Sequence, residues 1–446
     1  MPTEHNFDIA VVGGGIAGLT LTIGLLRQNV KVTLYESAQA FGEIGAGVAF
    51  GANAARAMSL IAPEVREGFE RVATFNQWDS KKQVWFDFRR GMGHGGSHAD
   101  QNQGELIHSL PTPSGQAAVH RAHFLDEMVK LVPDDVAKFG KRLDRIENLP
   151  DGNVRLHFLD GTDAVHSAVI GCDGIKSRTR QIVLGDDHPA ARARFSGKYA
   201  YRGLIPMDKA AELLGDELAR NSQMYLGYHG HVLTFPIEHG ATMNVVAFAS
   251  SPTWDQPAWV VPTTKDALLA DFAGWSEHVR SIMSLMQKTD IWALFEHPPA
   301  PRYTRDRICV IGDAAHATTP HQGSGAGMAV EDAWLMSALV GEARSAEGVR
   351  RAFEAFERVR IERTHRLVTT SNEAGRLYDF ELEGCGDDVG AVAENLRARM
   401  AWIWEEDLEA ELVRARRVMR GEEGEGEERI GRGKVEMATA TATASL

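Results

Sequence analysis

The chain has 446 residues, of which 43% are hydrophobic, and a formal net charge of −13 at pH 7. This length predicts two or three packed units rather than one. The negative charge argues against a general nucleic-acid binder, which needs a basic face. The three cysteines, Cys172, Cys309 and Cys385, include no CxxC pair, so we expect neither a disulfide framework nor a zinc site.

The start of the chain and its cysteine usage favour a reducing compartment. The first residues, MPTEHNFD, lack a basic n-region, so no secretory signal is expected. The apolar run from Ile9 to Leu26 is interrupted by five glycines, which argues against a membrane span. Unpaired thiols suit a reducing interior, and we therefore expect a cytoplasmic protein.

Residues 7–36 read as strand, glycine-rich turn, helix and second strand, with the spacing Gly13-x-Gly15-x-x-Gly18 in the turn. The first glycine permits the tight turn, the second admits a pyrophosphate and the third allows close helix–strand packing. The helix N-terminus presents unpaired N–H groups to the phosphates. Glu36 ends the second strand and can accept hydrogen bonds from ribose hydroxyls. The pattern predicts a dinucleotide site without distinguishing FAD from NAD(P).

Further elements follow along the chain. Residues 119–131 carry a helical apolar period, and two strands, VRLHFLDG and HSAVIGCDG, are joined by the Asp160-Gly161 turn. A buried strand in RICVIGDAAH precedes a glycine-rich loop and a helix from about Met328 to Val340. Between about 190 and 296, the aromatic-rich segments KYAYRGLIP, MYLGYHGHVLTFPI and TMNVVAFAS predict the sheet of an inserted second domain.

Two later segments favour FAD as the nucleotide. CDGIKSRTR (172–180) follows a strand and starts a helix, and ICVIGDAAHATTPHQGSGAGMAVEDA (308–333) contains another strand end and helix start. With the first fingerprint, and in the same order, they resemble the flavoprotein aromatic hydroxylases, the single-component FAD monooxygenases of the p-hydroxybenzoate and salicylate hydroxylase type. GEIGAGVAFGANA and YRGLIP are most similar to the salicylate-hydroxylase-like branch, including its fungal members.

The resemblance implies an α/β fold: a Rossmann-like FAD-binding domain of the p-hydroxybenzoate hydroxylase type, an inserted mixed β-sheet substrate domain and a C-terminal helical segment. The FAD-binding domain is expected in three parts, the substrate domain in two, and the chain is expected to end in a charged helix or helix pair within 390–420. A low-complexity tail, which we expect to be disordered, follows. The expected bounds of the FAD-binding domain are 1–75, 111–189 and 297–380. Those of the substrate domain are 76–110, which includes a glycine-rich surface loop at 91–104, and 190–296. The helical segment is expected at 381–420 and the tail at 421–446.

The segment after the third strand supplies candidate flavin contacts. An unpaired carboxylate at a buried strand end would be costly, so Asp313 needs a polar partner, which the resemblance identifies as the FAD ribityl chain. The loop 320–327, with Gly325 and Ala326, runs into a helix N-terminus. Its amides would face the flavin pyrimidine edge and stabilise the negative charge of reduced flavin. The alternative is a simple helix entry.

The resemblance assigns four more residues to the cofactor. Asp173 belongs to the motif that bridges FAD and nicotinamide binding, although an ordinary Asp-Gly turn is the alternative. Arg121 is expected at the FAD diphosphate, or else as a solvated helix residue. Gly47 and Ala49, in GAGVAF, are small enough to admit the flavin closely, and a turn before the helix at Asn53 is the alternative.

Arg202 lies in the aromatic-rich strand YAYRGLIP, where its charge needs a partner. We interpret it as the group that pairs with a substrate phenolate or carboxylate, and an edge-strand Arg facing water is the alternative. Alternation along the next strand places His229, His231 and Phe235 on one face and Tyr228 on the other. Some members of the family that the chain resembles use a Tyr near the Phe235 position to hold the ionised substrate. The missing hydroxyl here argues against a Tyr-assisted dearomatising reaction.

The candidate catalytic residues are therefore Arg202, Phe235, His231 and Tyr228. Each histidine alone is more typical of a structural residue than of a base. His316 and His321 have no third ligand at a suitable spacing, so no metal site is expected.

The resemblance implies that NAD(P)H reduces FAD, that O₂ forms a C4a-hydroperoxide, and that oxygen passes to an electron-rich ring carbon of a phenolic substrate. Salicylate-type oxidative decarboxylation and hydroxylation of a polyketide-derived phenol, with or without loss of aromaticity, are both candidate reactions. A phenol has a pKa of about 10, so its ionisation near neutrality needs a positive partner, for which Arg202 is our choice. Two alternatives remain: an FAD-dependent reductase or dehydrogenase without oxygen activation, and a non-catalytic FAD-binding protein. NADH versus NADPH and the oligomeric state stay open.

Overall fold

The computed structural model of the protein describes residues 5–42, 47–93, 104–287 and 290–422. Most of the glycine-rich loop at 91–104 and of the tail at 421–446 lies outside these ranges. None of the helices in these ranges has both the length and the apolar character that crossing a membrane requires.

The strands of the described residues alternate with helices in the first half of the chain and cluster in the middle. In chain order they are β1 (Asp8–Val12), β2 (Lys31–Tyr35), β3 (Gly47–Phe50), β4 (Thr74–Phe75), β5 (Val84–Arg90), β6 (Leu106–Pro111), β7 (Ala117–His120), β8 (Ala137–Lys138), β9 (Leu143–Asn148), β10 (Val154–Phe158), β11 (Asp163–His166), β12 (Ala168–Gly171), β13 (Arg194–Pro206), β14 (Gln223–Gly227), β15 (Gly230–Ile237), β16 (Thr242–Ser250), β17 (Val260–Pro262), β18 (Asp290–Glu296), β19 (Thr304–Arg305) and β20 (Ile308–Val310).

Among the described residues, the two longest helices lie within 325–378. In chain order they are α1 (Ile16–Arg27), α2 (Ala52–Ile61), α3 (Pro63–Val72), α4 (Arg121–Val129), α5 (Arg178–Leu184), α6 (Met207–Leu214), α7 (Asp216–Ala219), α8 (Lys265–Asp271), α9 (Glu277–Leu285), α10 (Asp313–His316), α11 (Gly325–Glu342), α12 (Ala346–Tyr378), α13 (Val389–Arg399), α14 (Ala401–Trp404) and α15 (Leu408–Arg420).

A six-stranded sheet carries the predicted nucleotide fingerprint. Its order is β19-β20-β12-β1-β2-β8, and all neighbours are parallel except β19 and β20. The central strands β1 and β12 are runs of buried apolar residues, as expected for parallel strands covered on both faces. Helices α1 and α11 pack against each other beside it. The carboxyl ends of β1, β12 and β20 therefore meet at one edge.

An eight-stranded mixed sheet forms the second layer, in the order β17-β18-β13-β16-β15-β14-β5-β6. Only β14 and β5 pair in parallel. Arg202 of β13 lies opposite Val246 of β16, and Phe235 of β15 lies opposite Asn244 of β16. Because residues two apart on a strand share a face, these four side chains lie on the same face of the sheet.

The remaining strands form two small sheets, β3-β7-β4 and β11-β10-β9. The C-terminal helices are fixed to the first domain by a buried ion cluster. Arg360 of α12 pairs with Glu331 and Asp332 of α11 and with Glu411 of α15. The overall fold thus confirms the predicted Rossmann-like domain, inserted mixed sheet and C-terminal helical segment.

Several predicted element boundaries are wrong. The pattern at 119–131 begins in strand β7, because α4 starts only at Arg121. The helix predicted from Met328 begins at Gly325, since glycines hide its first turn from an apolar count. The Asp160-Gly161 turn joins β10 to β11, whereas β12 belongs to the six-stranded sheet. The segment at 390–420 forms three helices instead of one or two.

Candidate active site

A cavity of about 930 Å³ lies between the two large sheets. Its wall combines the edge of the six-stranded sheet with the face of the eight-stranded sheet. It gathers most of the residues predicted from the sequence, contributed by elements more than 300 positions apart. The predicted residues that line it are Gly13, Gly15, Glu36, Gly47, Ala49, Arg121, Asp173, Arg202, Phe235, Asp313, Gly325 and Ala326.

The glycines of the β1–α1 turn have separate structural reasons. Gly13 has a φ of +105°, and a Cβ atom there would lie 2.4 Å from the carbonyl oxygen of Cys172. A Cβ atom at Gly18 would lie 1.8 Å from the carbonyl oxygen of Gly13, so Gly18 packs beneath the turn and does not line the cavity. At Gly15, by contrast, a Cβ atom would meet no heavy atom within 4 Å. Gly15 therefore keeps space open on the cavity side.

The Glu36 carboxylate is held in place at the end of β2. Its Oε2 accepts a hydrogen bond from the Gly14 N–H at 2.7 Å, and its Oε1 accepts one from the Ala38 N–H at 2.7 Å. Gly13 N–H in turn donates to the carbonyl of Tyr35 at 2.8 Å, which ties the turn to this strand end. A carboxylate fixed beside the glycine turn is suited to accepting hydrogen bonds from a ribose.

Asp173 has a local task as well as a place in the cavity wall. Its Oδ2 accepts hydrogen bonds from the N–H groups of Arg178 and Thr179 at 2.8 and 2.9 Å, at the start of α5. Burial raises the pKa of Asp173 above its usual range. These contacts fit the alternative of a local turn, and its cofactor role stays a prediction.

Asp313 does not end a buried strand, as the sequence suggested. Strand β20 stops at Val310, Gly312 follows with a φ of +59°, and Asp313 is the first residue of α10. Its side chain is exposed to the cavity, so burial does not demand a partner for it. The carboxylate remains available to a hydroxyl group in the cavity.

The N-terminus of α11 opens onto the cavity at Gly325 and Ala326. The preceding Ser324 makes no capping hydrogen bond to the helix. Gly323 adopts a φ of +60°, which lets the loop turn beside the Trp85 ring. The first-turn N–H groups therefore receive no side-chain cap from Ser324 and can donate to an acceptor in the cavity.

Arg202 projects from β13 into the cavity wall. Its guanidinium lies over the Trp292 ring, 4.7 Å from the ring centroid. Its Nε is buried and has no hydrogen-bond partner among the described residues. Burial and the charge of Arg121 lower the pKa of Arg202 to about 10, so the side chain is still cationic at neutral pH. Trp292 screens one face of the cation without neutralising it.

The rest of this wall is mainly apolar. Phe235 is 5% exposed, and a Cβ atom at Gly47 would lie 2.7 Å from its ring. Gly47 therefore lets β3 approach the eight-stranded sheet closely. The other apolar side chains that line the cavity here are Trp85, Phe86, Met224, Leu233, Val246 and Phe248.

His231 lies behind the cavity wall. Its Nδ1 bonds the Asp379 carboxylate at 2.6 Å, and its Nε2 lies 3.2 Å from Nδ1 of His321, which does line the cavity. Lys198 forms an ion pair with the same Asp379. Burial lowers the pKa of both histidines, which keeps them neutral at neutral pH. His231 thus supports a wall residue through a buried polar network.

Tyr228 and His229 do not extend the alternation of β15, because both lie in the turn between β14 and β15. His229 has a φ of +60°, and its ring bonds Glu381 at 2.8 Å. The Tyr228 hydroxyl donates to Asp387, outside the cavity lining. The predicted face assignment is wrong for these two residues, because side chains alternate between faces only within a strand and not in a turn with a positive φ.

Asn244 is the wall residue that sequence reasoning missed. It is 3% exposed, lines the cavity, and carries a buried Nδ2 without a hydrogen-bond partner in the ranges that the structure describes. A single amide within the apolar strand TMNVVAFAS was the available signal. Among the same residues, no group of three or more His, Cys, Asp or Glu could hold a metal ion.

Comparison with known proteins agrees with this arrangement. The protein of Aspergillus terreus named 6-methylsalicylate 1-monooxygenase is 43% identical over 414 residues, which cover 92% of this chain and 91% of that protein. The chain belongs to the salicylate hydroxylase-like family of FAD-dependent monooxygenases. A salicylate hydroxylase of Pseudomonas putida is 38% identical over 434 residues, 94% of this chain and 96% of that one.

Solved structures and a family model also match this FAD-dependent monooxygenase. A structure named salicylate hydroxylase substrate complex has a TM-score of 0.81 and 35% identity, covering 92% of this chain and 98% of the other. A Klebsiella pneumoniae protein complexed with FAD and uric acid shares the fold at 23% identity and a TM-score of 0.71, covering 93% and 98%. The family model for an FAD binding domain matches residues 273–371.

FAD is the cofactor of this monooxygenase. The cavity fits it on the protein's own geometry. Gly15 leaves open space where a phosphate group needs close approach to the backbone, and Glu36 stands beside it. At the far end, the uncapped start of α11 offers N–H groups to an electron-rich ring edge.

Proposed function

We propose that the protein hydroxylates a phenolic acid of the salicylate type, using NAD(P)H and O₂. The observation that carries the proposal is the cationic Arg202 in an apolar cavity wall, with a buried Nε that no described residue satisfies. A buried polar group without a partner is costly, so a ligand group is its natural complement. A carboxylate is the planar, bidentate partner that a guanidinium suits best.

The cofactor residues proposed from the sequence divide along the cavity. Gly13, Gly15 and the start of α1 receive the pyrophosphate, and Glu36 receives the adenosine ribose. Arg121 adds positive charge beside the phosphates. Gly18 acts indirectly, by letting α1 pack against the turn.

The flavin end is assigned to a second set of residues. Asp313 accepts hydrogen bonds from the ribityl hydroxyls, and the N–H groups at Gly325 and Ala326 face the polar edge of the ring. Gly47 and Ala49 leave room for the ring, while Asp173 supports the adjoining turn. Bound FAD supplies hydride acceptance from NAD(P)H and oxygen activation, and the protein's part is to position the substrate and exclude water.

The names of relatives support a hydroxybenzoate with a carboxylate. Both 6-methylsalicylate 1-monooxygenase and salicylate hydroxylase are named for such compounds. The apolar wall around Phe235 suits an aromatic ring. Phe235 cannot donate a hydrogen bond, which favours a substrate held by its carboxylate through Arg202 over one held by a tyrosine hydroxyl. The three free cysteines support a cytoplasmic location.

A turnover screen with purified holoenzyme tests this function. Salicylate, 6-methylsalicylate and unsubstituted benzoate are each mixed with NADH or NADPH, and both flavin bleaching and oxygen uptake are recorded. We expect the two hydroxybenzoates to accelerate bleaching and to yield a hydroxylated product. NAD(P)H oxidation that leaves every candidate unchanged, with no oxygen uptake beyond the ligand-free rate, would instead favour the reductase alternative.

A further inference from the structure

Asn244 is an unexplained polar side chain in the cavity wall. It is 3% exposed, and its Nδ2 has no hydrogen-bond partner among the residues described. Its direct neighbours across the sheet are Phe235 and Leu204, neither of which can accept a hydrogen bond through its side chain. A buried amide left in this state costs free energy that an apolar residue would not.

Close packing does not explain the choice of an amide at this position. A Cβ atom at Gly47 would lie 3.3 Å from Cγ of Asn244 and 2.7 Å from the Phe235 ring, so the side chain sits where β3 meets the sheet. A branched apolar residue of similar size, such as Val246 two positions on, fills the same wall. The polar atoms of Asn244 therefore have a use other than shape.

The register of the sheet places Asn244 next to Arg202. Arg202 lies directly opposite Val246, and Asn244 is two residues away from Val246 on the same face. Such diagonal neighbours are about 7–8 Å apart between their Cα atoms. Both side chains line the cavity, and both carry a buried nitrogen without a partner in the described chain. This spacing is compatible with one hydroxybenzoate that contacts both groups.

We propose that Asn244 binds the ring hydroxyl of the phenolic acid while Arg202 binds its carboxylate, so that Asn244 selects hydroxylated over unhydroxylated benzoates. The inference rests on the proposed function and adds a specificity residue to it. An amide suits this task because it offers both an acceptor and donors. The oxygen of the ring hydroxyl accepts from Nδ2–H, and a neutral hydroxyl can also donate to Oδ1.

Arg202 alone would not make this distinction, since its charge attracts any benzoate. A site that hydrogen-bonds a substrate hydroxyl rejects an analogue without it, because the buried polar group is then left unpaired. Asn244 is therefore expected to raise the affinity for salicylate relative to that for benzoate, and to contribute little to the binding of benzoate itself.

The test is a binding measurement on oxidised holoenzyme without NAD(P)H. Dissociation constants for salicylate and benzoate are taken from the change in bound-flavin absorbance, for the wild type, Asn244→Ala and Asn244→Asp. The wild type is expected to prefer salicylate by about tenfold or more, and Asn244→Ala to reduce that preference to about twofold with benzoate binding little changed. Asn244→Asp keeps the shape of the side chain but adds a negative charge, so it should weaken the binding of both salicylate and benzoate.

Val246→Ala is the matched control, because it removes apolar surface from the same strand face. It should weaken salicylate and benzoate alike and leave their ratio unchanged. A wild-type ratio retained in Asn244→Ala overturns the inference and leaves the proposed function standing. Loss of FAD from both Asn244 variants also overturns it, since the amide would then serve the cofactor. Failure of the wild type to bind either ligand overturns both proposals.

Discussion

Gly18 and Gly13 approach so closely that a Cβ atom on Gly18 would lie 1.8 Å from the Gly13 carbonyl oxygen. Helix α1 is thereby pressed against the turn that leads into it. Gly15, between them, borders open space, since a Cβ atom there would have no heavy atom within 4 Å. We therefore expect Gly18 to be needed for folding and Gly15 for the approach of the ligand.

This difference gives opposite expectations for two alanine variants. Gly18→Ala overpacks the turn and should cost about 1–3 kcal/mol or more of unfolding free energy. Gly15→Ala should fold with near wild-type stability as apoprotein, yet bind FAD about tenfold more weakly, because the methyl group occupies phosphate space. Apoprotein unfolding and FAD titration check the pair. Equal loss of stability in both variants would contradict the division of roles.

Arg202 is expected to bind the negatively charged group of the substrate and to have no part in the retention of FAD. Arg202→Met should retain FAD but weaken salicylate binding at least about tenfold, because the buried carboxylate loses its counter-charge. Arg202→Lys should recover part of that loss, since it restores charge without the planar fork. Lys176→Met is the control, as Lys176 also lines the cavity but lies over the Trp259 ring. Unchanged salicylate affinity in Arg202→Met would remove this residue from the substrate site.

Much of the site follows from local sequence, because its parts sit at strand ends with short-range signatures. Glu36 follows β2 directly, where the apolar run and the downstream acid predict it. Gly325 and Ala326 open a helix after a glycine-rich loop. Each of these positions is set by the chain within a few residues, so a motif can place it before the tertiary structure is known.

The parts that sequence reasoning misplaced depend on distant contacts. Tyr228 leaves the strand pattern because the turn at His229 requires a positive φ that alternation does not reveal. His231 shares a face of β15 with Phe235, as predicted. Its partner Asp379, however, comes from the end of α12, about 150 positions later. Asn244 was missed because one amide in an apolar strand has meaning only once the neighbouring strands are paired.

The buried cluster around Arg360 should dominate the stability of the C-terminal helices. Its guanidinium is fully buried and contacts Glu331, Asp332 and Glu411, whose charges raise the pKa of Arg360 well above its usual range. Arg360→Met removes the ion-pair partner of the buried Glu411, whereas Glu331 keeps Arg363 and Asp332 keeps His316. This loss should cost about 3–5 kcal/mol in unfolding free energy.

Arg350 provides a control on the same helix. It pairs with Glu347 and Glu354 at the surface, where ion pairs contribute about 0–1 kcal/mol. Chemical denaturation of Arg350→Met and Arg360→Met should therefore give clearly different midpoints. Similar midpoints would show that the buried cluster adds little to stability.

Mild acid should destabilise the fold through buried histidines. Burial lowers the pKa of His297 to about 3 and that of His365 to about 4. In the unfolded chain both titrate near 6.5, so between these values the unfolded state binds more protons than the folded state. Stability is therefore full above about pH 6.5 and falls as the pH decreases toward the folded values.

Unfolding midpoints measured between about pH 7 and pH 5 check this direction. His297→Gln keeps a donor for the Ile175 carbonyl, which His297 Nε2 contacts at 2.9 Å, but does not titrate. This variant should lose less stability than the wild type over the same pH interval. An identical pH slope in the two proteins would show that His297 is not among the responsible groups.

The most direct test of the central claim uses ¹⁸O₂. Holoenzyme is supplied with NAD(P)H and either salicylate or 6-methylsalicylate under ¹⁸O₂, and the product is analysed by mass spectrometry. Insertion of one ¹⁸O atom into the aromatic product, absent when the ligand is benzoate, is the result that a phenolic-acid monooxygenase requires. A product free of ¹⁸O, or NAD(P)H consumed with neither substrate altered, would contradict the account.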